Sequence, residues 1–83
     1  MQPEWLTVIG FKEEHYAKIE KICRDTKTKD PTFKWKIYPS KFKQYDYILV
    51  ISSPTEEQAF KRGMWLTRKA LPLLDLTFWV KEK

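Results

Sequence analysis

The amino-acid sequence predicts an α+β sandwich of order β-α-β-β-α-β: a four-stranded antiparallel sheet with both helices on one face. Three observations predict it. Two stretches of helical periodicity alternate with four short stretches rich in β-branched and aromatic residues. Each helical stretch has one apolar stripe, so both need a shared sheet face to cover, and pairing of the strands as two local hairpins would not supply one. The 83 residues, 42% hydrophobic and 16% aromatic, suffice for one core and no more. Two β-α-β halves with right-handed crossovers, interleaved, give the ferredoxin-like topology as a single domain over residues 1–83.

Each element has its own local reason. Residues 5–11 (WLTVIGF) are β-formers closed by Gly10, a first strand. Residues 12–25 follow as helix, with Glu13 and Glu14 in the first turn, Lys21 and Arg24 in the last, and Tyr16, Ile19, Ile22 and Cys23 at helical spacing. Residues 26–31 (TKTKDP) read as a turn. Residues 33–38 (FKWKIY) alternate apolar residues with lysine or tyrosine, a half-buried strand. Residues 45–52 (YDYILVIS) form a more continuous apolar run, so this strand is expected at the centre of the sheet. Ser53 as N-cap, Pro54 at the first helical position and Glu56 three residues on predict a helix start, and Pro72 predicts its end near residue 70 or 71. Residues 74–80 (LDLTFWV) alternate again as the last strand.

Composition narrows the functional classes. A single cysteine, Cys23, can form neither an intramolecular bridge nor a zinc cluster, which points to a reducing compartment. No basic start with a long apolar stretch opens the chain, and no run approaches the roughly 18 apolar residues of a membrane span. A cytoplasmic protein without membrane contact is the expectation. The net charge of +5 is concentrated: residues 24–43 hold seven basic side chains against Asp25 and Asp30, and the remainder sums to zero. Such a field attracts anionic partners, although a solvated, solubilising face has the same composition.

Alternation assigns strand faces. In the last strand Leu74, Leu76, Phe78 and Val80 suit the core, turning Asp75, Thr77, Trp79 and Lys81 outward. In the first, Leu6 and Val8 are expected inward and Trp5, Thr7 and Ile9 outward. In the second, Phe33, Trp35 and Ile37 go inward while Lys34, Lys36 and Tyr38 go outward. The third strand is apolar on both sides and its phase stays open. The uncovered face is then expected to carry Trp5, Tyr38 and Trp79 beside Lys34, Lys36 and Lys81, with Lys41 and Lys43 from the second connection at its rim. Aromatic rings among lysines form a platform on which bases stack while ammonium groups neutralise phosphates, so single-stranded nucleic acid is the expected partner. RNA-recognition modules share this topology, but residues 44–51 lack the basic-glycine-aromatic start of their signature octapeptide, and no family is assigned.

An acidic protein surface is the alternative partner. Ala59, Phe60, Gly63, Met64 and Leu71 are expected on the buried stripe of the second helix, leaving Trp65 outside among Lys61, Arg62, Arg68 and Lys69 as an anchor for an adaptor or inhibitor. The sheet face could serve the same purpose, or hold a homodimer together.

Catalysis is not expected. His15 has no orienting partner in view, Cys23 lies on an apolar stripe, and Asp46 with Asp75 are two carboxylates without a pocket. No glycine-rich phosphate loop or metal-ligand spacing supports a cofactor.

Overall fold

A computed structural model describes residues 4–83; the first three residues of the expected domain lie outside it. The chain order is β1 (Trp5–Phe11), α1 (Tyr16–Lys29), β2 (Lys34–Pro39), β3 (Tyr47–Ser53), α2 (Glu56–Met64) and β4 (Phe78–Glu82). The four strands form one antiparallel sheet in the order β2-β3-β1-β4, the interleaved arrangement expected from the sequence. Ile9, Phe11, Leu49 and Ile51 of the two central strands form one buried cluster with Ile19 and Cys23 of α1 and Leu66 beyond α2, which places both helices on the same side.

Several boundaries differ from expectation, each for a local reason. A 3-10 turn, Glu13–His15, precedes α1, and Asp46 Oδ2 accepts from the Glu13 N–H at 2.8 Å. α1 continues to Lys29 rather than stopping at Asp25, and accommodates Thr26 and Thr28 with their hydroxyls donated back to the carbonyls of Ile22 (2.7 Å) and Arg24 (3.1 Å). The true stop is Asp30, whose Oδ1 accepts from the Thr32 N–H (3.1 Å) and hydroxyl (2.6 Å). Those bonds, with Arg62 and Lys27 nearby, hold the Asp30 carboxyl below its ordinary value.

The N-cap of α2 is Thr55, accepting from the Gln58 N–H at 3.1 Å, and not Ser53. Ser53 is still engaged in the sheet, opposite Trp5, with its hydroxyl accepting from Arg62. Beyond Met64 the helix widens into a π-turn, Trp65–Ala70, closed by the Leu71 N–H on the Leu66 carbonyl (3.0 Å). Pro72–Leu74 then form a 3-10 turn and Asp75 takes a left-handed conformation, φ 50°. The last strand therefore starts at Phe78, and the expected strand over 74–77 is not formed.

Ala59 and Gly63 of α2 are buried as expected, and so is Leu71 beyond it, whereas Phe60 and Met64 are not; Leu66 and Thr67 of the π-turn are buried in their place. Small residues bring the helix close to the sheet. The Thr7 hydroxyl donates to the Ala59 carbonyl at 2.6 Å, and the Phe78 ring occupies the space a side chain on Gly63 would need. Phe60, expected inside, is 54% exposed and touches Phe78 edge-on at 5.5 Å.

Candidate functional site: the uncovered sheet face

Strand pairing fixes the two faces row by row. On the helix side lie Trp35–Ile51–Thr7–Val80, Ile37–Leu49–Ile9–Phe78 and Pro39–Tyr47–Phe11; the Thr7 bond to Ala59 identifies that side. Side chains alternate along a strand, so the opposite face holds Lys34–Ser52–Leu6–Lys81, Lys36–Val50–Val8–Trp79 and Tyr38–Ile48–Gly10. Among the described residues no helix covers this second face.

Of the eight residues expected to form the site, the register brings Lys34, Lys36, Tyr38, Trp79 and Lys81 onto this face. Lys41 and Lys43 stand exposed in the β2–β3 connection beside it. Trp5 does not join them. The phase of β1 is the reverse of that expected: Thr7 and Ile9 are fully buried under the helices, and Trp5, which pairs with Ser53 and Glu82, shares their side. A strand with β-formers on both faces has no amphipathic signal, and the Thr7–Ala59 hydrogen bond admits a polar side chain where alternation alone would seat a leucine or valine. The same register resolves β3, with Leu49 and Ile51 inward and Ile48 and Val50 on the open face.

Tyr45 is a site residue that the sequence reading missed. A Cβ placed on Gly10 would fall 2.5 Å from the Tyr45 ring, so this ring lies on the open face against bare backbone. The signal was Gly10 itself. It is interior to β1, not its terminator, and a glycine within a strand marks a close approach.

The face thus has an aliphatic floor and a basic, aromatic border. Val8, between Val50 and Trp79, is 3% exposed although no helix covers it. Tyr38 and Trp79 are 42% and 37% exposed, on the two edge strands. Three strand spacings of ~4.8 Å separate β2 from β4, so these rings stand roughly 14 Å apart across the sheet and cannot enclose one flat group between them. Lys36 Nζ lies 5.6 Å from the Tyr38 ring centroid, a cation–π contact that orients both. Among the described residues no strand position of the open face is acidic, and Lys34, Lys36 and Lys81 form no ion pair. Glu4 at the rim is already engaged: the Lys83 ammonium donates to it at 3.1 Å and holds its carboxyl below the ordinary value.

The alternative surface on the second helix is assembled in part: Lys61, Trp65, Arg68 and Lys69 line one surface groove with Phe60 and Met64, and Arg62 is absent from it. Arg62 turns inward, its side chain 13% exposed, donating to the Ser52 carbonyl (2.8 Å) and the Ser53 hydroxyl (3.0 Å) and lying over Phe33. It ties α2 to the end of β3. Trp65 is half-buried and packs on the core, so it is not the isolated exposed ring the sequence suggested. Lys61 pairs with Glu57 at 3.2 Å, and Arg68 and Lys69 remain exposed.

Two of the residues weighed for catalysis, Cys23 and Asp46, are engaged in the fold itself. Cys23 is fully buried, and desolvation, with the Glu20 charge adding to it, pushes its thiol up to about 12. Asp46 caps the Glu13 turn, Asp75 lies in the connection before β4, and His15 is half-buried next to Glu14. Among the described residues no group of three or more His, Cys, Asp or Glu side chains could hold a metal ion, and no helix is long and apolar enough to cross a membrane.

The chain matches no protein-family model and no curated protein.

Proposed function

We propose that the protein is a non-enzymatic binding module that takes single-stranded nucleic acid across its uncovered sheet face. One observation carries this reading: the strand registers gather Lys34, Lys36, Tyr38, Trp79 and Lys81 on one face without an acidic strand residue among them. Bases stack on Trp79 at one edge and on Tyr38, steadied by Lys36, at the other. The half-buried aliphatic floor of Ile48 and Val50 makes room for sugar and base edges between them. Lys41 and Lys43 extend the positive border past the Tyr38 end. The Tyr45 ring over Gly10 is the aromatic group nearest the central strands on this face, and recognition is by stacking and charge, tolerant of base sequence and steeply salt-dependent.

Fluorescence titration with short labelled RNA and DNA strands at about 50 and 200 mM salt tests the proposal. Saturable binding that weakens at the higher salt supports it. Absence of saturable binding at the lower salt contradicts it. The aliphatic floor also favours a second reading, a protein partner seated on the same face. A pull-down that survives nuclease treatment and is lost in Trp79→Ala, from a chain that binds no oligonucleotide, would select it.

A further inference from the structure

Leu73 is 94% exposed, far more than any other large hydrophobic residue described. Its position is fixed. Leu71, buried, and Leu74, half-buried, anchor the 3-10 turn on either side of it, and the Leu74 N–H donates to the Leu71 carbonyl at 3.2 Å. Pro72 restricts the turn further. A leucine held out in this way contributes nothing to the monomer's own core.

Leu73 forms one wall of a groove of about 620 Å³ between α1 and the turn, with Ile22, Leu71 and Leu74 along it and Lys18, Lys21 and Asp25 among its borders. Among the described residues none of those three charges forms an ion pair, although Lys21 and Asp25 have the i,i+4 spacing to do so. Neighbouring Glu20 and Arg24, at the same spacing, do pair, at 3.5 Å. One patch therefore carries a knob, a hole and free charges of both signs.

A two-fold contact requires a surface complementary to itself, with a projection, a recess and charges of both signs on one patch. We propose that this patch joins two copies of the chain, Leu73 of each seated in the groove of the other, with Asp25 of each facing Lys21 of the other. The charge arrangement selects a second copy over a uniformly acidic or basic partner. No strand residue lines the groove, so the open sheet face stays free and this contact is independent of the function proposed for it.

Sedimentation equilibrium from about 1 µM to about 1 mM is the test, the range in which small contacts of this kind associate. The wild-type mass is expected to rise from 10.1 kDa toward twice that value. Leu73→Asp is expected to remain monomeric throughout with an unchanged circular dichroism spectrum and thermal midpoint at low concentration. Lys21→Asp and Asp25→Lys are each expected to be monomeric alone and to associate when mixed, since the mixture restores two opposite-charge contacts. A wild type monomeric at the highest concentration overturns the proposal. So does a dimer that persists in Leu73→Asp, a dimer abolished by Trp79→Asp with the groove intact, or failure of the charge-swapped pair to associate. Oligonucleotide binding retained by Leu73→Asp would separate this outcome from that of the sheet-face reading.

Discussion

On the helix side of the sheet β1 and β3 present Thr7, Ile9, Phe11, Leu49 and Ile51; on the open side the same strands present Leu6, Val8, Ile48 and Val50. The central strands are thus nearly as apolar on one face as on the other. The edge strands are not. β2 and β4 put Trp35, Ile37, Phe78 and Val80 toward the helices and Lys34, Lys36, Tyr38, Trp79 and Lys81 away from them. The contrast teaches that the functional character of the open face comes from its borders, while its centre is a second, shallower hydrophobic layer that the border rings partly close.

The largest effect that sharpens this comparison is on stability. Ile9→Ala empties a site walled by two helices, and urea denaturation should show a loss of about 3 kcal/mol. Val8→Ala, its neighbour on the open face, should cost no more than about 1.5 kcal/mol, because Trp79 can settle into the space. Equal costs would mean the open face is covered by something else in solution. Next comes binding. Trp79→Ala should weaken oligonucleotide affinity by roughly 5- to 150-fold, the equivalent of one lost base stack of about 1–3 kcal/mol, while the far-ultraviolet spectrum stays native. Lys36→Ala is smaller still, weakening binding uniformly across sequences and reducing the slope of log affinity against log salt by about 1.

The smallest effect is on pH dependence. Asp30 in the folded chain is held below its ordinary value, chiefly by the Thr32 hydrogen bonds. Its contribution is therefore complete above the unfolded carboxyl's pKa of about 4 and disappears as pH falls through the lower folded value. Asp30→Asn should be less stable than the wild type at neutral pH, and the two should converge as thermal midpoints are followed below pH 4.

The topology was legible in the sequence because it depends on patterns that survive averaging: two amphipathic helices, one continuous strand and two alternating ones. The faces of β2 and β4 were legible for the same reason, since lysine beside tryptophan leaves one choice of phase. β1 was not. WLTVIGF has an acceptable residue at every position for either phase, and what decides is the match of Thr7 to the Ala59 carbonyl, a contact across 52 residues. The α2 stripe was misjudged in a related way. A stripe built on Ala59 and Gly63 reads as weakly hydrophobic, yet its small residues let the helix settle against Phe78 and push the larger Phe60 to the flank. The inward turn of Arg62 was hidden by its charge, because guanidinium groups near a strand end and on a helix surface look alike in one dimension. Tyr45 escaped because its role is set by absence of a side chain on another strand.

Amide shift mapping during titration of a short single-stranded oligonucleotide tests the central claim most directly. The account predicts saturable shifts at Lys34 to Tyr38, at Ile48 and Val50, at Val8 and at Trp79 to Lys81, including the Trp79 indole N–H. Shifts confined to α1 and α2 with the sheet unmoved would contradict it.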